Sequence, residues 1–395
     1  MPHWTRLLTL AAVALLVAFA APSAAQELDP CDPLSPDYDP YYCGDLPREP
    51  VEPEPDPDFG RPPRGPRTPR VPSIPRRTEW GDVQAANPRI VNPLRGLSWF
   101  VDKGQYFGPW QRYRAARGEK KRLIGKIALN PQFRWFGPWD LKYGSMGNAV
   151  RQYLRRTHLD SPGAIPQIAS FLHVGNACHS RYLAGGRKAD RAYRRNIKSF
   201  AEGIGDYRVL VAFEPDSLST VNCLARHRRG ARLRMLAYGV RVLSQVKNAT
   251  VYLDAGASDW EGARTVARKL RKIGVRRVRG FMLNATHMTT NAANLRYGSK
   301  VSRMTGGKHF IVNTSDNGNG PLYRWVNGKR TTIWCNPPNS ALGTPATTNT
   351  GHPKADGFFW VNRPGTSHGS CNGGPTPVGT WWEKRALAMA RRAKF

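Results

Sequence analysis

From about residue 165 onward, short apolar runs alternate with stretches whose apolar residues recur at helical spacing. The runs occupy 165–175 (IPQIASFLHVG), 207–215 (YRVLVAFEP), 249–256 (ATVYLDAG), 278–284 (VRGFMLN), 308–315 (KHFIVNTS) and 357–365 (GFFWVNRPG). Helical patterns lie between several of them, at 189–205, 228–246 and 260–274. Repetition of strand and helix at this spacing predicts an α/β fold of parallel strands joined by crossover helices. Both a barrel and an open sheet satisfy the pattern. No glycine-rich phosphate-binding signature follows any of the runs, so a nucleotide-binding sheet is unsupported and no cofactor is expected. Nothing rich in proline or of low complexity interrupts residues 89–395, which predicts one large domain.

In parallel α/β folds, the carboxyl ends of the strands form the face where polar side chains converge. Here those ends carry His173 and Asn176, Glu214 and Asp216, Asp254, Asn284, Asn313 and Asp316, and His368. The run VLVAFEPDSL (209–218) ends on two carboxylates separated by a proline. Acids at that point serve either to cap a following helix, where the helix dipole favours them, or to transfer protons. The residues alone leave these two roles open.

The start of the chain changes the setting. Residues 1–25 carry Arg6, an apolar core from Leu7 to Ala20 and the small triplet Ser23-Ala24-Ala25, a pattern that predicts a cleaved secretory leader. That core is short for a membrane span, and no other segment is apolar enough for one. Residues 26–88 are proline-rich and too poor in apolar surface to offset their chain entropy, so a linker or tail is expected. Its first part, Gln26 to Gly60, holds eleven acids against the single base Arg48. From residue 61 onward, 58 Lys plus Arg face 17 Asp plus Glu, a formal +41. The six cysteines are at 31, 43, 178, 223, 335 and 371, an even number in a chain expected to be exported, which favours disulfides over metal sites. No CxxC pair or His-x-x-x-His spacing occurs, and no metal is expected.

Six ordered blocks then carry a resemblance: EPDSL (214–218), YLDAG with Trp260 beyond it (252–260), GFMLNATH (280–287), NTSDNGNGP (313–321), WCNPPNSALG (334–343) and WVNRPGTSHGSCNGG (360–374). From NPLRGLSWFVD (92–102) to the C-terminus the chain resembles glycoside hydrolase family 6, the secreted bacterial and fungal endoglucanases and cellobiohydrolases. The resemblance implies a distorted parallel β/α barrel with fewer than eight strands, and cleavage of β-1,4-glucans with inversion at the anomeric carbon. It implies the disulfides Cys178–Cys223 and Cys335–Cys371, which leaves Cys31 and Cys43 to pair with each other. Asp216 matches the family's general acid, with Glu214 as a buried neighbour. Such an acid needs a pKa raised by burial or by nearby negative charge. An inverting enzyme also needs a base acting on water from the opposite face of the sugar.

At the base the chain departs from the family pattern. Where the family reads Arg-Asp-Cys, this chain reads Asn176-Ala177-Cys178. The Lys, Glu and Asp of Lys-x-Pro-Gly-Glu-Ser-Asp-Gly are replaced by Asn362, Thr366 and His368. Asp-Thr-Ser-Arg-Asn-Gly becomes Asn313-Thr314-Ser315-Asp316-Asn317-Gly318, and the His of Asp-Ala-Gly-His becomes Ala257. Two readings follow. In the first, the chain is a glycosidase in which Asp216 remains the acid and His368 or Asp316 supplies basic or electrostatic help. In the second, turnover is lost and the cleft survives as a binder of glycans. Candidate substrate-binding residues are Asp254, Trp260, Asn284, Trp334, Trp360 and Trp135, with Trp99, Trp139 and Trp381 as further stacking aromatics. Asp254 is equally suited to bracing the barrel.

A neutral glucan gives no electrostatic reason for the basic domain. The charge suggests an anionic glycan as partner, with the acidic segment folding back when none is bound. Charge on solvated helix faces explains the composition equally well. No nucleic-acid motif occurs, and an extracellular monomer acting on polysaccharide is expected.

Overall fold

The computed structural model describes residues 92–104, 107–172 and 187–395. The expected leader and tail, together with Cys31, Cys43, His173, Asn176, Ala177 and Cys178, lie outside the described residues, and with them the expected pairs Cys31–Cys43 and Cys178–Cys223.

In chain order the elements are α1 (Gly108–Ala115), α2 (Gly118–Ala128), β1 (Arg134–Phe136), α3 (Met146–Asp160), β2 (Gln167–Ser170), α4 (Arg187–Ile204), β3 (Val209–Phe213) and α5 (Arg226–Leu243). They continue with β4 (Ala249–Asp254), α6 (Ala263–Ile273), β5 (Gly280–Leu283), α7 (Asn291–Met304), β6 (His309–Asn313), β7 (Leu322–Val326), β8 (Lys329–Ile333), β9 (Ala355–Phe359) and α8 (Glu383–Arg392). Seven strands form one sheet in the order β1-β2-β3-β4-β5-β6-β9, and each neighbouring pair is parallel. The six apolar runs supply β2 to β6 and β9. The three-residue β1 has too short a pattern to read in advance.

The sheet curls until its two edges meet. Gln132, just before β1, forms a parallel bridge with Trp360, just after β9. Phe133 N donates to Trp360 O at 3.0 Å, and the Trp135 indole Nε1 donates to Val361 O at 2.7 Å. The result is the distorted barrel of fewer than eight strands.

Burial on both faces explains the continuous apolar runs. Leu210, Ala212, Tyr252, Met282, Ile311 and Phe359 point inward and pack with Phe133 and Trp135. The alternate positions Val209, Val211, Phe213, Val251, Leu253 and Phe281 face outward against Phe200 of α4, Leu236 of α5 and Leu270 of α6. Where β5 passes β6, a Cβ on Gly280 would sit 1.7 Å from His309 O, so only glycine permits that strand spacing. The inner floor is polar: Asp356 accepts from Arg279 Nε at 2.7 Å, Arg279 Nη2 at 2.9 Å and the Tyr252 hydroxyl at 2.6 Å, with His309 Nδ1 at 2.9 Å. Burial opposes charge on Asp356, but the bonds from His309 and Arg279 outweigh it and hold the carboxyl below its usual range.

Past β9, the loop after β8 is tied to the loop after β9 by the disulfide Cys335–Cys371, with Cα atoms 6.1 Å apart across a sequence separation of 36. This pair is the one the resemblance implied. In the chain-entropy account, a closed loop of this length is worth roughly 4 kcal/mol. Replacing both cysteines with serine is expected to lower unfolding free energy by about that amount in denaturant titrations, and an unchanged midpoint would remove the disulfide from the stability account.

Candidate active site

Because the seven strands are parallel, their carboxyl ends open on one face, and the described polar positions Glu214, Asp216, Asp254, Asn284, Asn313, Asp316 and His368 stand at or beyond the ends of β3, β4, β5, β6 and β9. Asp216 follows β3 by three residues. Its φ is 68° and that of Glu214 is 49°, left-handed values that L-residues rarely adopt, so this turn needs external support. Ser217 supplies part of it, donating to Glu214 O from its hydroxyl at 2.6 Å and from its backbone N at 3.1 Å. Asp254, at the end of β4, supplies the rest. Its Oδ2 accepts from Leu218 N at 3.1 Å and Ser219 N at 3.4 Å, and its Oδ1 accepts from Gly256 N at 3.2 Å. Asp254 is thus a buried brace beneath the Asp216 turn.

Neither acid of EPD caps a helix. The short 3-10 turn Ser219–Cys223 has no side-chain cap, and fully buried Glu214 accepts from Leu172 N at 3.2 Å. The Asp216 side chain, partly exposed, instead accepts from Thr286 Oγ1 at 2.5 Å, across the mouth from beyond β5. Burial raises the Asp216 pKa, opposed by the Thr286 bond and the charge of His287. Burial, and then the Asp216 charge, push Asp254 up to about 7 despite its three backbone donors. Two such groups resist carrying two negative charges together, which keeps a proton at the site near neutral pH.

One side of the mouth is aromatic. Trp260 stacks on His287 with centroids 4.5 Å apart and planes 14° apart. His287 Nδ1 lies 2.9 Å from Asp259 Oδ1, and Asp259 Oδ2 accepts from Thr332 Oγ1 at 3.1 Å.

The other side is a cluster of charged groups. His368 Nε2 lies 3.6 Å from Asp316 Oδ2 and 3.3 Å from Asn362 Nδ2. Asp316 is 1% exposed and is also met by Arg385 Nη2 of α8 at 3.4 Å. Burial pushes the imidazole down to about 4; the Asp316 charge opposes this and Arg385 adds to it. His368 is therefore a neutral imidazole at neutral pH. Unfolded histidine titrates near 6.5, so between there and about 4 the unfolded chain binds a proton that the folded chain does not. The stability associated with His368 is present in full above about 6.5 and lost as pH falls through about 4. Asp254 has the opposite sign, its contribution being present below 3.8 and lost as pH rises through about 7. The two slopes oppose each other in wild type. Comparison with His368→Gln is therefore expected to isolate a loss of roughly 2–3 kcal/mol between pH 7 and 4.5 in urea titrations. Parallel curves for the two proteins would contradict the buried neutral histidine.

Several expected substrate contacts are placed elsewhere. Trp360 is fully buried with its indole N donating to Thr344 O at 3.0 Å, so it is a core residue with no face for a sugar. Trp135 is 9% exposed inside the barrel and edges toward Phe171 rather than solvent. Asn284 is fully buried, donating to Thr289 O and Asn313 O and accepting from the Thr289 N and hydroxyl. It ties β5 to β6. Asn313 is a similar rivet: its Oδ1 accepts from Val361 N at 2.9 Å while its Nδ2 donates to Asn284 O at 2.9 Å, a pairing of acceptor and donor that an aspartate could not reproduce. Trp260 and Trp334 keep partial exposure. Thr286 and His287 were absent from the expected site, although both stand just past a strand end in GFMLNATH. Arg385 comes from the C-terminal helix, where no sequence signal marks it. Among the described residues no group of three or more His, Cys, Asp or Glu is placed to hold a metal, and no helix is long and apolar enough to cross a membrane.

The profile of "Glycosyl hydrolases family 6" matches residues 109–393. Endoglucanase A of Cellulomonas fimi is 36% identical over 307 residues, covering 77% of this chain and 63% of that protein. Endoglucanase 1 of Streptomyces halstedii is 32% identical over 298 residues, 74% of this chain and 86% of its own length. The chain thus spans under two thirds of the first of these relatives. Among solved structures, the endoglucanase Cel6 of Mycobacterium tuberculosis, in complex with methyl-cellobiosyl-4-deoxy-4-thio-β-D-cellobioside, superposes with a TM-score of 0.68 at 32% identity, over 76% of this chain and 99% of that one. Fold, strand-end site and these similarities agree: the chain belongs to glycosyl hydrolase family 6.

Proposed function

We propose that this chain is an exported O-glycosyl hydrolase of the cellulase type that cleaves β-1,4-glucosidic bonds with inversion, acting as a monomer on polysaccharide. The carrying observation is the Asp216 carboxyl, partly exposed at the barrel mouth, raised in pKa by burial, and fixed by Thr286 and the Asp254 brace. The relatives named as endoglucanases support a glucan as substrate. In the first step Asp216 gives its proton to the glycosidic oxygen as the bond to the anomeric carbon breaks. Water enters from the opposite ring face and yields a hemiacetal of inverted configuration. His368 Nε2 takes the water proton, and Asp316 at 3.6 Å stabilises the imidazolium that forms. Trp260 and Trp334, both partly exposed, offer ring faces to sugar units.

The competing reading, a glycan binder without turnover, draws on the same residue. An imidazole held down to about 4 is a weak base, and Ala177 supplies no carboxylate to help it. Release of reducing ends from a panel of neutral and acidic β-glucans separates the two: hydrolysis of any β-1,4-glucan supports the enzyme, and binding without release supports the binder. The formal +41 from residue 61 onward favours acidic polymers within that panel.

A further inference from the structure

β7 and β8 form a hairpin separate from the barrel sheet, with sequence LYRWVNGKRTTI and no acidic residue. Asn327 and Gly328 both have positive φ, 49° and 72°, the backbone that a two-residue hairpin turn with correct twist demands. Its register pairs Tyr323 with Thr332 and Trp325 with Arg330. Since paired residues and alternate residues share a face, Tyr323, Trp325, Arg330 and Thr332 lie on one side of the ribbon. Thr332 fixes where that side looks. Its hydroxyl donates to Asp259 Oδ2 at 3.1 Å, and Asp259 in turn pairs with the His287 that stacks on Trp260.

The same face carries an unusual exposure. Trp325 is 73% exposed and Tyr323 38% exposed, with the Arg330 guanidinium 3.9 Å from the Tyr323 ring centroid. An exposed tryptophan on a two-stranded ribbon adds nothing to the barrel core. Indole and tyrosine faces stack on sugar rings, while an arginine beside them binds carboxylates in bidentate fashion.

We propose that the hairpin is an accessory binding arm that extends the cleft, holding a β-glycan chain that bears carboxylates several sugar units from Asp216. The arm rests on the glucan reading of the cleft and adds to it the substrate class. Continuity with the mouth through Thr332 and Asp259, and the guanidinium of Arg330 beside Tyr323 and Trp325 on the same face of a hairpin that holds no acid, single out an anionic polysaccharide as occupant.

Affinity electrophoresis of the full chain through gels containing carboxymethylcellulose or neutral hydroxyethylcellulose tests this without requiring turnover. Trp325→Ala is expected to weaken retardation by both polymers about tenfold, as for an exposed aromatic anchor. Arg330→Gln is expected to weaken retardation by carboxymethylcellulose alone and to flatten its salt dependence. Thermal unfolding of both variants should match wild type, since neither side chain is in a core. Equal retardation of wild type and both variants in carboxymethylcellulose overturns the arm while leaving the cleft reading intact. Failure of wild type to be retarded by either polymer contradicts the cleft reading and the arm together.

Discussion

Replacing Asp216 with asparagine is expected to lower kcat on a soluble β-1,4-glucan by roughly 10²–10⁴-fold, the span that a positioned general acid contributes, while leaving affinity and fold unchanged. The substitution keeps the oxygen that accepts from Thr286 Oγ1 and removes only the transferable proton. Neither the Asp254 brace nor the Glu214 bond to Leu172 N involves the altered atom. A large rise in KM with kcat preserved would instead make Asp216 a binding residue. Unchanged kinetics would remove it from the chemistry.

The second large effect concerns the opposite side of the mouth. The family resemblance places Arg and Asp at the positions that are Asp316 and His368 here, and those positions are in contact at 3.6 Å. The acid has therefore moved to the other partner of the pair. Restoring the family's carboxylate by His368→Asp alone would set it against Asp316, which is 1% exposed and already shares the Arg385 guanidinium, with Arg363 the further cation that acts on position 368. Like charges about 4 Å apart near a protein surface repel by roughly 4 kcal/mol. The single variant is accordingly expected to lose about 2–4 kcal/mol of stability in urea titrations at pH 7 and to gain no turnover. Adding Asp316→Asn leaves Arg385 facing one carboxylate, so the double variant should recover most of that loss. A coupling on the order of 2 kcal/mol in the four-protein cycle is the expected signature. Additive effects would show that the two side chains do not sense each other.

Much of this geometry was legible before any coordinates. Parallel strands buried on both faces leave continuous apolar runs, so β2 to β6 and β9 stood out, and the rule that parallel strands open at their carboxyl ends drew attention to Asp216, Asp254, Asp316 and His368, which stand at or beyond the ends of β3, β4, β6 and β9. What stayed hidden has identifiable causes. β1 is three residues long, and the closing seam at Gln132 and Trp360 is a tertiary contact with no local pattern. Trp360 and Trp135 looked like stacking platforms because a tryptophan carries no mark of its depth, whereas their indole N–H groups bond to backbone inside the barrel. Asn284 and Asn313 have the polarity of substrate ligands, yet their amides bond to the backbone of each other's strand ends and of neighbouring loops, and only the register of β5 against β6 reveals that use. The β7–β8 hairpin was readable from its Asn-Gly turn but was overshadowed by the neighbouring family blocks.

The most direct measurement is the anomeric configuration of the first-formed product, followed by proton NMR during hydrolysis of a short β-1,4-linked glucan oligosaccharide by wild-type protein. A general acid at Asp216 with water entering from the opposite face predicts that the α-anomer appears first and then mutarotates toward the β-anomer, and that Asp216→Asn abolishes the signal. First appearance of the β-anomer would contradict single displacement by water. No new reducing end from any β-1,4-glucan would contradict the enzyme itself and leave the cleft to binding.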